Sequence, residues 1–116
     1  MSISWGKQQR VSFQGAWKLE EWSPPPSSGL FAITYKQDKT NRPKSHTVVY
    51  FGQGADLTGQ GLPWCHEASD RWLDVVGGAR SELYVFFHPM PHSTQLERWM
   101  LHERLIAEYR PLCNRP

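Results

Sequence analysis

The hydrophobic positions along the chain predict a small β-sheet. Apolar and β-branched residues cluster at 29–35, at 47–51 and at 81–87, and glycine, proline or polar residues bound each cluster. Short runs of this kind are typical of β-strands. A further run at 11–19, interrupted by Gly15, predicts a strand nearer the N-terminus. We therefore predict strands at these four places.

Two other segments have the spacing of amphipathic helices. Apolar residues recur every three or four positions at 68–76, and the glycine pair at 77–78 favours a left-handed helix end. Thr94 and Glu97 match a capping box, which predicts a helix over 95–109. The order of elements predicts an α+β domain: a small, largely antiparallel three-stranded sheet flanked by helices, with an additional N-terminal strand.

A proline-rich segment at 23–28 separates the first predicted strand from the others. Proline fixes φ and has no backbone N–H, so this segment is expected to be neither a helix nor a central strand. We predict that residues 1–28 form an N-terminal extension with a connector and that residues 29–116 form the main domain. A chain of 116 residues is expected to build one core.

Composition and charge argue against several classes of protein. The longest apolar stretches span four or five residues, so no segment is expected to cross a membrane. The N-terminal residues lack the apolar region of a signal peptide. Cys65 and Cys113 have no CxxC spacing, so we expect reduced thiols and a cytoplasmic protein. The net charge of +2 is compatible with a polyanionic partner without requiring one.

Four pieces of the chain, in order, resemble the GIY-YIG nuclease superfamily. Two of them lie on the predicted strands of one hairpin, as in that family. The pieces are Gly29-Leu30-Phe31, Tyr50-Phe51-Gly52, the run from Tyr50 to Leu57 and the closing segment from Leu105 to Asn114. The resemblance covers residues 29–116. It implies metal-assisted cleavage of a phosphodiester, with Mg²⁺ or Mn²⁺ as cofactor and with DNA rather than RNA as the partner.

The resemblance also implies roles for single residues. Tyr50 takes the second tyrosine position, and Asn114 takes the position of an asparagine that supports the site. Phe31 replaces the first tyrosine. Gln60 stands ten residues after Tyr50, where the family has an arginine that stabilises phosphate charge. The position of the metal-binding glutamate falls on His102.

The metal-ligand position stays open between His102 and its neighbour Glu103. The register of the motif gives His102. At about 100° per residue, however, Glu103 falls among apolar residues of the predicted helix, where a carboxylate is costly unless it is paired or binds a metal. On this ground we expect Glu103 to be buried and to bind the cation. Arg71 on the middle helix is an alternative to the arginine missing at Gln60, if the glycine-rich segment is an insertion.

The loop between the two signature strands is basic. We expect it to lie beside a nucleic acid, since phosphate contacts require positive charge within reach. A solvated hairpin tip is the alternative interpretation. The positive side chains of this loop are Lys36, Lys39, Arg42 and Lys44.

Two functions follow from the resemblance. The first is an endonuclease that hydrolyses DNA with the help of a metal ion, impaired by the replacements at Phe31 and Gln60. The second is an inactive GIY-YIG fold that serves as a DNA-binding or protein-interaction module. Loss of a charged contact to the transition state typically removes several kcal/mol of stabilisation, which favours weak catalysis or none.

Overall fold

The computed structural model describes residues 2–37 and 46–114, which form an antiparallel sheet with a helix on each side. These bounds place strands and helices close to the positions that the hydrophobic pattern predicts, with one more strand at the N-terminus. The elements are β1 (Ser2–Trp5), β2 (Val11–Lys18), β3 (Gly29–Lys36), β4 (His46–Gly54), α1 (Ser69–Val75), β5 (Leu83–Pro89) and α2 (Gln95–Tyr109).

The sheet has five strands in the order β1-β2-β5-β3-β4, and every neighbouring pair is antiparallel. The α+β class is confirmed, and the prediction of a three-stranded sheet is wrong. The additional strands come from the segment predicted as an N-terminal extension, since β2 pairs with β5 and places Trp17 opposite Val85. Residues 2–18 therefore belong to the same sheet as residues 29–89.

Contacts from the β1–β2 turn to α2 hold these first strands in place. The backbone N–H of Gly6 donates to the Tyr109 hydroxyl at 2.7 Å. The Arg104 guanidinium donates to the side-chain oxygen of Gln9 at 2.7 Å and to its carbonyl at 3.2 Å. Since α2 is the last helix of seven residues or more in the described chain and β1 is its first strand, these bonds connect the two ends of the fold.

A hydrophobic core packs on each face of the sheet, and successive strand residues contribute to opposite cores. On the central strand β3, Phe31 and Ile33 face the α1 side, while Leu30 and Ala32 face the α2 side. The α1-side core contains Trp72 of α1 itself. The other core is rich in aromatic rings and includes Leu105 of α2 together with Trp5, Phe13, Phe51 and Phe86.

Local signals predicted both helices correctly. Gly77 and Gly78 follow α1 with φ of +62° and +84°, the left-handed conformation expected of a glycine stop. At the start of α2, Thr94 and Glu97 form the predicted capping box, with bonds of 3.1 Å and 2.9 Å. Neither helix is long and apolar enough to cross a membrane, within the residues that the structure describes.

The orientation of α2 differs from the expectation. Its buried residues are Leu105 and Arg98, and Arg98 is 5% exposed because Gln53 and Ser93 accept its hydrogen bonds. The Glu103 side chain is 46% exposed, so the prediction that it is buried is wrong. Apolar residues on the same side of the helix as Glu103 face outward: Leu96, Trp99 and Met100.

Candidate functional site

The two signature segments lie on the β3–β4 hairpin, where Phe31 is the direct partner of Gly52. The Phe31 ring is fully buried and covers the space in front of Gly52, so that a Cβ atom at Gly52 would overlap the ring. The Phe31 ring can therefore occupy this position only if residue 52 has no side chain. A short residue at the end of the second signature has a packing reason here that is independent of chemistry.

Tyr50 lies at the centre of an aromatic cluster on the α1 side of β4. The centroid of its ring is 6.0 Å from Phe31, 5.3 Å from His66 and 5.2 Å from Trp72. The His66 ring stacks on Trp72 at 5.0 Å with an interplanar angle of 29°. Helix α1 thus supplies the wall against which the Tyr50 ring and the imidazole of His66 are held.

Burial keeps the Tyr50 hydroxyl protonated, and nearby charged groups modify this effect. Burial raises the pKa of Tyr50 above its ordinary value, the negative charge of Glu67 acts in the same direction, and the positive charge of Arg71 opposes both. Tyr50 is therefore a neutral phenol near pH 7 and can donate a hydrogen bond. Arg71 is close enough to this hydroxyl for its charge to act on the pKa.

The geometry of His66 fixes the position of its proton. The backbone N–H of Ala68 donates to Nδ1 of His66 at 3.0 Å, so Nδ1 carries the lone pair. Burial lowers the pKa of His66, with Glu67 opposing this shift and Arg71 adding to it. The ring is therefore neutral at pH 7, and its proton resides on Nε2, which is a donor.

Cys113 lies in the same core as Tyr50 and close to Arg71. Burial raises the pKa of its thiol, while Arg71 lowers it and Asp74 raises it. The thiol is therefore protonated at neutral pH and is not an activated nucleophile. The second cysteine, Cys65, is exposed.

Asn114 and His102 meet at the backbone of Phe51 on the outer edge of β4. Phe51 N–H donates to Oδ1 of Asn114 at 2.7 Å, and Nδ2 of Asn114 donates to the Phe51 carbonyl at 2.9 Å. Nε2 of His102 donates to the same carbonyl at 2.8 Å, since a carbonyl only accepts. Both side chains thus satisfy backbone groups that an edge strand would otherwise expose.

Glu103 and His102 form a pair on the α2 side of the sheet. Nδ1 of His102 lies 3.4 Å from Oε1 of Glu103 and is buried without a hydrogen-bond partner. Tyr50, by contrast, packs against the α1 side. The structure therefore brings Asn114 and His102 together, and it places Tyr50 in a different layer from Glu103.

Gln60 packs against the end of β4, and most of the basic loop lies outside the described residues. Gln60 ends a short 3-10 helix, and its amide packs against Gly54, four residues along β4 from Tyr50. The ammonium of Lys36 lies 5.3 Å from the centre of the Tyr84 ring. The rest of the predicted loop surface lies outside the described residues and stays a prediction: Lys39, Arg42 and Lys44.

The donors present do not fit a Mg²⁺ or Mn²⁺ ion at the predicted place. Hard cations take several oxygen ligands, whereas Glu103 is one exposed carboxylate whose nearest described partner is an imidazole nitrogen. Within residues 2–37 and 46–114, no group of three or more His, Cys, Asp or Glu side chains is arranged to hold a metal ion.

Arg71 is the alternative to Gln60 that the sequence suggests, whereas His66 lies just before a predicted helix, where a solvated side chain is the ordinary expectation. The structure groups both with Tyr50. The usable signal was the position of both residues at the start of the helix that follows the second signature. No protein family, curated protein or solved structure matches this chain. The resemblance to the GIY-YIG superfamily thus rests on the four sequence pieces.

Proposed function

We propose that this chain is a GIY-YIG-like domain that binds a phosphodiester of nucleic acid, with DNA as the expected partner. The observation that carries the proposal is the cluster of Tyr50, His66 and Arg71. It combines the positive charge of Arg71, which the nearby Glu67 carboxylate partly opposes, with two neutral groups whose protonation states make them hydrogen-bond donors. The donors of this set suit an anionic oxygen.

Each group has a defined task in this proposal. The Arg71 guanidinium, with its planar fork of N–H donors, pairs with non-bridging phosphate oxygens. The Tyr50 hydroxyl and Nε2–H of His66 donate to the same phosphate or to an adjacent one and fix its orientation. The stacked rings of His66 and Trp72 limit the movement of the imidazole, so little rotational freedom is lost on binding.

A binding module without efficient catalysis is the form of this function that we favour. The carboxylate that the resemblance would give a metal, Glu103, lies in the α2 layer and is paired with His102. Tyr50 and Arg71 belong to the α1 layer. Glu67 is a carboxylate near Tyr50, but within the described residues it belongs to no group of three or more acidic, His or Cys side chains arranged to hold a cation. Hydrolysis by this domain is therefore expected to be slow or absent.

The test compares DNA binding by the wild-type protein and by three variants, measured by fluorescence anisotropy over a range of salt concentrations. Arg71→Gln removes a charged hydrogen bond and is expected to weaken binding roughly tenfold and to reduce the salt slope by about one. Tyr50→Phe is expected to weaken it about two- to fivefold. Arg10→Gln is the control, because Arg10 is an exposed arginine at the β1–β2 turn.

Two results would overturn the proposal. If Arg71→Gln and Arg10→Gln weaken binding equally, the affinity reflects overall charge and the cluster has no special part. If the wild-type protein nicks DNA rapidly with Mg²⁺ and Arg71→Gln does so at the same rate, the chemistry takes place at another site. Circular dichroism of each variant checks that the fold is retained.

A further inference from the structure

A second aromatic surface lies on the α1 side of the sheet, beside β2 and β5. The indole of Trp17 is 41% exposed and lies parallel to that of Trp22, with ring centroids 6.1 Å apart and an interplanar angle of 27°. Phe87 of β5 lies 6.4 Å from Trp22 and forms the floor. These rings, with Glu21, Ser23 and Pro25, line a groove of about 480 Å³, which we call the aromatic groove.

The charge of the aromatic groove is negative. Glu21 is exposed at its rim, and within the described residues its carboxylate takes part in no ion pair or hydrogen bond. The neighbouring exposed residues Lys18 and Glu20 carry opposite charges, so the charge at the lining itself is that of Glu21, and none of the lining side chains is basic. Phosphate groups are therefore disfavoured here, whereas the faces of indole rings and a carboxylate both attract a cation.

The polarity of the lining selects among cations. A primary ammonium keeps three strong hydrogen bonds to water, and the groove offers few acceptors to replace them. A trimethylammonium group donates no hydrogen bonds, so it loses little on leaving water. Its methyl groups bury apolar surface against Trp17, Trp22 and Phe87 while its charge meets Glu21.

An unpaired strand edge beside the aromatic groove indicates that the trimethylammonium group would belong to an extended peptide. Within the described residues, β1 pairs with β2 from Val11 to Gln14, and β5 occupies the other side of β2. The outer edge of residues 15–18 therefore faces no described strand. A second groove of about 390 Å³ runs along this edge, and Trp17 lines both grooves. An unpaired strand edge binds an extended peptide by backbone hydrogen bonds.

We infer that the aromatic groove binds the trimethylated lysine side chain of a partner protein, whose extended backbone pairs with residues 15–18 of β2. The ring faces and the Glu21 carboxylate recognise the side chain. The free edge of β2 forms backbone hydrogen bonds with the peptide residues on either side of the trimethyllysine. This surface is separate from the Tyr50 cluster, so the inference does not depend on nucleic-acid binding.

Isothermal titration calorimetry with short acetylated peptides tests the inference on the full chain. One peptide carries a central trimethyllysine, a second carries unmodified lysine, and a third carries the neutral tert-butyl analogue in which carbon replaces the nitrogen. We expect the first to bind roughly five- to thirtyfold more tightly than either of the others, since a cation–π contact of this kind is worth about 1–2 kcal/mol. Tetramethylammonium chloride is the probe for the cation alone.

Matched variants assign the effect to the aromatic groove. Trp17→Ala and Glu21→Gln are each expected to reduce the affinity for the trimethyllysine peptide by about fivefold or more. Trp99→Ala is the control, because Trp99 is a comparably exposed tryptophan on α2. Equal binding of the charged and neutral peptides would overturn recognition of the cation. Binding of the peptide no tighter than that of tetramethylammonium would overturn the peptide as occupant, and an equal loss in Trp99→Ala would overturn the location.

Discussion

Replacement of Gly52 by alanine tests how far the second signature segment is determined by packing. The methyl group of alanine would occupy the space that the Phe31 ring fills. Phe31 cannot turn away into solvent, because it is fully buried on the central strand between the hairpin partner and the α1-side core. Either the ring leaves its preferred rotamer or the two strands move apart.

The expected magnitude follows from two opposing terms. The Gly52 backbone lies outside the left-handed region, so alanine brings no conformational penalty there. Alanine also lowers the conformational entropy of the unfolded chain, which by itself would stabilise the protein by about 0.5–1 kcal/mol. Overpacking of a rigid core costs about 1–3 kcal/mol, and the flanking backbone leaves little room for relaxation. The overlap here involves the body of an aromatic ring, so we expect Gly52→Ala to lower the free energy of unfolding by about 2 kcal/mol.

Urea unfolding followed by tryptophan fluorescence measures this loss, and Gly59→Ala provides the control. A Cβ atom at Gly59 meets no atom within 4 Å, so that change is expected to be neutral or slightly stabilising. A double-mutant cycle with Phe31→Leu isolates the pair. Removal of the ring makes room for the methyl group, so the double variant should be more stable than the sum of the single losses by at least about 0.5 kcal/mol. Strict additivity, or a neutral Gly52→Ala, would refute the steric explanation.

Three further predictions concern single contacts. Burial and the charge of Lys36 lower the pKa of His46 to about 4. As the pH falls, the unfolded chain therefore binds a proton at His46 near pH 6.5, whereas the folded chain binds it only near pH 4. The free energy of unfolding measured in urea should therefore fall as the pH drops through this window, by about 1–2 kcal/mol after solvent screening, and by less in His46→Gln. Thr94→Ala removes the N-cap of α2 and should cost about 1 kcal/mol in the same assay, with Thr94→Ser close to wild type. Asn114→Ala should cost about 1–3 kcal/mol by leaving the Phe51 N–H unpaired, while His102 still donates to the Phe51 carbonyl, whereas a purely functional Asn114 would leave stability unchanged.

The positions of most strands and helices were predictable because their signals are local. A capping box, a glycine pair and runs of apolar residues act within a few residues of the element that they define. The predicted strand at 29–35 is β3 at Gly29–Lys36, and the predicted helix over 95–109 is α2. Agreement at this level needs no knowledge of which strands become neighbours.

The size of the sheet was not predictable from the same signals. β1 consists of four residues, two of them serines, and becomes a strand because β2 pairs with it. The inward face of α2 likewise depends on distant partners. Arg98 is buried because Gln53 of β4 and the Ser93 carbonyl accept its hydrogen bonds, and this turns Glu103 outward. A helical wheel that ranks residues by hydrophobicity alone cannot contain that information.

In the proposed site, the residue at the family's usual distance from Tyr50 is not the residue whose charge acts on Tyr50. Counting ten residues from Tyr50 leads to Gln60, which ends a 3-10 helix and packs against Gly54. The chain then makes a left-handed turn at Gly61 before it reaches α1. The guanidinium that acts on Tyr50 therefore comes from Arg71, one helix further along. A fixed spacing preserves chemistry only where the intervening backbone follows the same path. The place of a charge is better sought on the next helix that packs against the tyrosine than at a fixed count from it.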